Sequence, residues 1–169
     1  KILSAVPGMY MRTEEGYGLR PNISIRGTAI ERSGKITIME DGVLVAPSPY
    51  TSSAAYYFPS TGRIHSVEIL KGPSAVSQGP QTIGGAINLI STPIPETNSG
   101  KFIQELGENG LARTHTYYGG TNGKLGALVE VHEHSSDGFD RIANIDEDTG
   151  FNKSDLMIKT RYQSGNHSL

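Results

Sequence analysis

"VEILKGPSAVSQGPQTIGGAINLIS", Val67 to Ser91, sets two alternating apolar runs around a core of glycine, proline, serine and glutamine. A glycine-rich loop after a strand invites comparison with a phosphate cradle. In its P-loop form that cradle ends in Gly-Lys-Ser/Thr, whose side chains reach the phosphates and magnesium. Here Gly84-Gly85-Ala86 stands in that place. Two good strands joined by so much permissive backbone need another explanation.

Composition narrows the field. The chain has 169 residues and is 36% hydrophobic, enough for one domain with a core, or one domain plus part of another. Glycine is abundant at 21 residues, while cysteine and tryptophan are absent. Without cysteine there are no disulfides and no cysteine-based zinc sites. A formal charge of -2 argues against a nucleic-acid partner, because phosphate binding relies on a clustered cationic surplus. No window approaches the roughly 18 apolar residues of a transmembrane helix. The start, "KILSAVPGMYMR", lacks the apolar core and cleavage site of a signal peptide.

The character of the chain changes at "STPIPETNSG", Ser91 to Gly100. Pro93 and Pro95 cannot donate ladder hydrogen bonds and favour an extended linker. We therefore divide the chain into a domain over residues 1–95 and a second part over 96–169. In the first, "KILSAVPG" reads as the last turns of a helix, with Ile2, Leu3 and Val6 as its apolar stripe and Pro7 and Gly8 as its stop. Strands are expected at Tyr10 to Thr13, Ile23 to Arg26, Ile36 to Met39, Val67 to Leu70 and Ala86 to Ile90, with Glu40 to Val43 as a tight turn. The segment "VAPSPYTSSAAYYFPS", Val45 to Ser60, is too long to be a simple turn and is a candidate binding surface.

The second part alternates with a period of two. In Ser154 to Gln163, Leu156, Ile158, Thr160 and Tyr162 take one face, and Asp155, Met157, Lys159, Arg161 and Gln163 the other. In Lys124 to His134, Ala127, Val129 and Val131 oppose Leu128, Glu130, His132 and His134. Two more strands are expected near Lys101 to Gly107 and Leu111 to Gly119, joined through "GENG" and "GGTNGK". A long acidic connection, Ser135 to Asn152, separates the last two. Two readings fit: an ordinary antiparallel sheet with one wet face, or the opening of an outer-membrane β-barrel built from alternating segments of about ten residues. Alternation alone favours the ordinary sheet.

The residues "PNISIRG" (Pro21 to Gly27), "ITIMEDGVLV" (Ile36 to Val45), "RIHSVEILKGPSAVSQGPQTIGGAINLIS" (Arg63 to Ser91) and the proline-rich exit resemble, in order and spacing, the plug domain of TonB-dependent outer-membrane receptors. The resemblance runs from about Val6 to Pro95, and the remainder resembles the first barrel strands after the plug. "GLRPNISIRGTAIERSGKITIMEDGVLVAPSPY" is most similar to the ferric-citrate receptor branch. The resemblance implies an α+β plug domain, a small mixed β-sheet with short helices and long loops, followed by antiparallel β-strands that begin a transmembrane β-barrel. It also implies a plug that fills a barrel of about 22 strands in the outer membrane of a Gram-negative bacterium. The glycines would then serve tight packing and later rearrangement, and Asn88 is expected as a satisfied amide within its strand.

The resemblance further implies roles for particular residues. Arg26 would belong to a plug face that pairs with acidic residues of the barrel wall, making Arg26, with Arg63, Glu68 and Lys71, a candidate plug-to-barrel latch. A salt bridge inside the plug, Arg26 to Glu68, is the equal alternative. Loop tips on the extracellular side correspond to Thr28 to Gly34 and Val45 to Ser60. A ferric chelate such as ferric citrate is rich in carboxylates, which suits guanidinium forks and hydroxyls. The candidates are Arg32, with Thr28, Ser48, Tyr50, Ser52 and Ser53.

Other chemistry is less well supported. His132 and His134 share a strand face, a geometry that can chelate, but "HEHSS" marks no third ligand and a polar lumen wall is the better account. No catalytic set stands out: "GPSAV" lacks the last glycine of a nucleophile elbow. We expect no enzyme, no cofactor and no resident metal. About four strands cannot close a barrel, so the chain is expected to be a fragment of a longer receptor, truncated before the segment that engages a TonB-type energy-coupling protein. Alone it would be soluble, with its later strands frayed or paired edge to edge with another copy. The ligand stays open among citrate, another siderophore, haem, cobalamin, a nickel chelate and a carbohydrate. The alternative from another class is a soluble extracytoplasmic binding or adhesion module using the Tyr/Ser/Pro-rich loop.

Overall fold

The computed structural model describes residues 3–14, 17–45, 57–139, 149–164 and 167–168. Two compact units divide at Ser91/Thr92, where the last strand of the glycine-rich stretch ends, a few residues before the prolines.

In the first unit, β1 (Met9–Thr13) and β2 (Pro21–Ile25) form an antiparallel pair. Every residue of β2 is buried. A second sheet joins β3 (Ile36–Glu40), β4 (Val43–Leu44), β5 (Ile64–Leu70) and β6 (Gly85–Ser91) in the order β4-β3-β6-β5. β3 and β6 run parallel and the other pairs antiparallel. Parallel neighbours need a long crossover, and β4, β5 and their connections supply it. The β3–β4 turn has φ of 48° at Asp41 and 81° at Gly42, the left-handed pair that matches strand twist in a two-residue hairpin.

The role of the glycine-rich stretch follows from this topology. It must return the chain from the end of β5 to the start of β6, directly beside it. It does so through a 3-10 turn, Pro73–Gln78, and then enters β6 at Gly85 with φ of 142°. A Cβ there would lie 2.4 Å from the Leu70 carbonyl oxygen, so only glycine fits. The core beneath holds Leu3, Ile23, Ile25, Ile36, Ile38, Phe58, Ile87 and Leu89, each such burial contributing about 1.5–3 kcal/mol.

The expected opening helix is a single 3-10 turn, Leu3–Ala5, in the described residues. The Val6 amide donates to the Leu3 carbonyl, but Pro7 has no amide proton to continue a helical ladder and Gly8 turns out at φ 77°.

The second unit is an antiparallel sheet, β11-β10-β9-β8-β7, made of β7 (Ser99–Leu106), β8 (Ala112–Asn122), β9 (Leu125–Ser136), β10 (Phe151–Ser164) and β11 (His167–Ser168). β9 and β10 keep unbroken register from Ser136↔Phe151 to Leu125↔Tyr162. No described helix is long and apolar enough to cross a membrane.

Candidate functional site

The Glu31–Ser33 turn is a 3-10 turn in which Arg32 (φ 50°, ψ 27°) and Ser33 (φ 55°) both occupy left-handed backbone. Such conformations cost about 1–2 kcal/mol per non-glycine residue, so neighbouring contacts must hold them. Asn22, on β2, accepts a hydrogen bond from the Arg32 amide. The fully buried Ser33 hydroxyl accepts from the Ile23 amide at 2.9 Å and donates to the Pro21 carbonyl at 3.4 Å. The turn is thereby fastened to β2 while Arg32 itself is exposed.

Thr28 has a different task. Its hydroxyl contacts the Ile25 amide at 3.3 Å and the Ile25 carbonyl at 3.1 Å, closing the turn through Arg26 and Gly27, whose φ values are 54° and 74°. Ser48, Tyr50, Ser52 and Ser53 lie outside the described residues.

The candidate latch residues separate into two groups. Arg26 is exposed, with its amide bonded to the Gly8 carbonyl at 2.8 Å and its guanidinium beside Gly72. Lys71 donates to the Pro7 carbonyl, so both cations gather around Pro7 and Gly8. Arg63, only 4% exposed, is instead paired with Glu40: Nη1 meets Oε1, and Nη2 meets Oε2 at 3.1 Å. Burial alone would lower the pKa of Arg63, but the hydrogen bond and charge of Glu40, aided by Tyr57, outweigh it and raise the value above the ordinary one. Glu68 accepts from Asn88 at 3.0 Å, and the Asn88 carbonyl oxygen accepts from the Gly42 amide at 2.9 Å. Asn88 is thus a satisfied amide, and no ion pair joins Arg26 to Glu68 among the described residues.

The strand sheet carries its own polar constellation. Register places Ile103, His115, His132 and Asp155 in one row across β7 to β10. Flanking rows hold Lys101, Tyr117, Glu130 and Met157, and Glu105, Arg113, His134 and Lys153. His115 Nε2 lies 2.7 Å from Glu130 Oε1, to which Thr92 also donates. Arg113 pairs with Glu105 at 2.8 Å and lies 3.4 Å from His134. His132 has an ion-pair distance of 3.8 Å to Asp155 but no hydrogen bond at either ring nitrogen. Among the described residues no group of three or more acidic, histidine or cysteine side chains is placed to hold a metal.

This polar face is the buried one: Glu130 and His132 are each 1% exposed. The opposite face is apolar and open, with Leu156 at 68%, Ile158 at 65%, Tyr118 at 64% and Phe102 at 67% exposure. An ordinary one-sided sheet has the reverse polarity.

Residues 1–86 match the family described as the TonB-dependent Receptor Plug Domain. The chain belongs to that family. Among curated relatives, the plug and its following strands are 25% identical to the vitamin B12 transporter BtuB of Photobacterium profundum, over 99% of this chain and 27% of the relative. A BtuB from Vibrio vulnificus is 28% identical over 89% of this chain and 24% of its own length. Among solved structures, the unliganded ferric citrate transporter FecA superposes with a TM-score of 0.74 at 23% identity, covering 95% of this chain and 25% of FecA. The ferric yersiniabactin uptake receptor FyuA of Yersinia pestis gives 0.73 at 24%, covering 96% and 26%. The chain therefore spans about a quarter of the length of the relatives it matches. These relatives are transporters and receptors, not enzymes, and the family leaves the adhesion-module alternative without support.

Sequence reasoning missed Glu40 as the partner of Arg63, and Asn22 and Ser33 as the supports of the Arg32 turn. An amide alternating with the isoleucines of "PNISI" was the available signal for Asn22. Nothing local points from Glu40 to Arg63, which meet only when β3 and the turn before β5 are folded.

Proposed function

We propose that this chain is the plug and the first wall strands of an outer-membrane importer of a ferric chelate, of the citrate or a related siderophore type. The observation that carries the ligand reading is the Arg32 turn: an exposed guanidinium on backbone that is strained and fastened from below. Strain of this kind collects at binding sites, and a guanidinium suits the carboxylates of such a chelate. Ser48, Tyr50, Ser52 and Ser53 are proposed to join it from the neighbouring loop, while Thr28 shapes the site through the turn it closes.

In this reading the polar face of β7 to β10 lines the barrel lumen and the apolar face meets lipid, the alternation expected of such a wall. Arg26, exposed, and Lys71, half-buried, gather around Pro7 and Gly8 and are the latch cations that meet acidic groups of the remaining wall. Arg63 and Glu68 act inside the plug, which they stiffen through Glu40 and Asn88. A TonB-type protein supplies the energy through the segment before the plug, and the plug moves to admit the ligand.

The test is calorimetric titration of the chain with ferric dicitrate, against iron-free citrate and cyanocobalamin. Selective binding of ferric dicitrate, weakened about 10- to 100-fold in Arg32→Ala as charged hydrogen bonds are lost, supports the proposal. Selective binding of cyanocobalamin, unaffected by Arg32→Ala, would instead favour a second reading, cobalamin import. That reading draws on the BtuB relatives, which cover nearly the whole chain. Failure of all three to bind would remove the assignment of ligand contacts to these loops.

A further inference from the structure

We infer that Asn22 is a positioning residue for ligand capture, setting the direction of Arg32 without touching the ligand; the inference rests on the reading of Arg32 as a ligand contact. Asn22 is 2% exposed and lies on a strand whose every residue is buried. A buried primary amide is costly unless both its ends are used. Here each end has a different partner. Oδ1 accepts from the Arg32 amide, and Nδ2 donates to Glu14 Oε1 at 3.0 Å. Rotating the amide by half a turn would set donor against donor at Arg32 and acceptor against carboxylate at Glu14. Glu14 therefore fixes the orientation of Asn22, and Asn22 fixes the amide of Arg32.

The second fastening, Ser33 to Ile23 and Pro21, holds the following residue, and the Gly34 amide holds the carbonyl side of the Arg32 peptide at the Glu31 oxygen, 3.1 Å away, while Asn22 holds its N–H side. With φ of 50° at Arg32, release of that peptide lets the residue relax to the ordinary right-handed region, which swings the Cα–Cβ direction and the guanidinium with it. The relay also places the ligand-bearing turn in contact with the loop after β1, since Glu14 follows Thr13 directly. Asn22 thus serves binding through geometry, where Arg32 serves it through charge.

The experiment compares the full chain with Asn22→Leu, Arg32→Ala, the double variant Asn22→Leu/Arg32→Ala, and the polarity-exchanged pair Glu14→Gln/Asn22→Asp. In the last, the Asp carboxylate accepts from the Arg32 amide and the Gln amide donates to it, so the relay is rebuilt with reversed chemistry. Ferric dicitrate affinity is read by calorimetry, and the exchange rate of the Arg32 amide by NMR. Asn22→Leu should weaken binding about tenfold and speed Arg32 amide exchange about tenfold or more, leaving the amides of β3 protected. The double variant should bind no more weakly than Arg32→Ala alone, because a misdirected guanidinium and an absent one are the same loss. Glu14→Gln/Asn22→Asp should bind within about threefold of the unmodified chain.

If Arg32→Ala weakens binding while Asn22→Leu changes neither affinity nor Arg32 exchange, the inference fails and the ligand reading survives. If Arg32→Ala is without effect, the ligand reading fails and the inference falls with it. If Asn22→Leu loses protection throughout β2 and β3, the rebuilt pair decides: a tenfold loss there, with the fold intact, overturns the positioning role.

Discussion

Breaking the Arg63–Glu40 pair from either side should destabilise the plug, and the two sides should cost different amounts. Arg63 is 4% exposed and Glu40 16% at the side chain. Removing one partner of a buried pair costs about 3–5 kcal/mol, because the survivor is left charged in a low-dielectric site. After Arg63→Met the survivor is Glu40, which retains a route to water, so the cost should lie near about 3 kcal/mol. After Glu40→Leu the survivor is Arg63, nearly sealed and left with the Tyr57 hydroxyl at 3.4 Å, so the cost should approach about 5 kcal/mol. The double variant leaves no orphan and should return to within about 1–2 kcal/mol of the original. Equilibrium urea denaturation of the chain, followed by near-ultraviolet circular dichroism of its tyrosines, reads these values. With a slope of about 1–3 kcal/mol/M, each single variant should lower the midpoint by about 1 M or more. The arginine side adds no pH dependence below the ordinary arginine value: its pKa is raised on folding, so its share is fully present there and is lost only at more alkaline pH. Costs below about 1 kcal/mol, strict additivity in the double variant, or the reverse order of the two singles would refute the reasoning.

Two further outcomes follow from backbone and face. Gly85→Ala places a Cβ 2.4 Å from the Leu70 carbonyl at φ 142°, so it should destabilise the plug by about 3 kcal/mol or more by overpacking and strain, read in the same urea titration. In the receptor that carries this chain, Ile158→Lys on the open apolar face should lower assembly into outer membranes, with a cost of about 2–4 kcal/mol if the residue lies near mid-bilayer. Lys159→Ala, one residue on and on the opposite face, should assemble normally; equal yields for the two by heat-modifiable gel mobility would contradict the face assignment.

What could be read in the sequence was what depends on neighbours along the chain. The strands around the glycine-rich loop, the Asp41-Gly42 hairpin and the two faces of β9 and β10 all follow from local pattern, and each formed within a few residues of its expected place. The expected last turns of a helix are seen as one 3-10 turn, Leu3–Ala5, in the described residues, and Pro7 stops it as expected. Side-chain partners were harder to read. Glu68 stands in register with Asn88 on β6, so its carboxylate meets an amide one strand away before Arg26, the residue after β2, can compete. The Arg32 turn reads as an ordinary "ERSG" loop, since its left-handed geometry is held by Asn22 of β2 and by Ser33 reaching across to that strand. Such contacts depend on how strands stack, which no single window encodes.

Whole-chain averages concealed the most informative contrast. The plug buries its isoleucines and leucines in the usual way, whereas the strand sheet buries Glu130, His132 and His134 and leaves Leu156 and Ile158 open. Averaged together, these opposite arrangements give an unexceptional 36% hydrophobic content and a charge of -2, and no apolar run flags a membrane segment. The inverted sheet does not cover its apolar face with its own strands: Phe102, Tyr118, Leu156 and Ile158 stay open on it, while Glu130, His132 and His134 are buried on the other. Apolar surface of that extent needs an apolar surrounding, and a hydrogen-bonded sheet is one of the two backbone forms that can enter one, provided its edges are closed. A barrel reading of β7 to β10 therefore requires paired edges, and the inverted polarity of β9 supports it more firmly than alternation alone could.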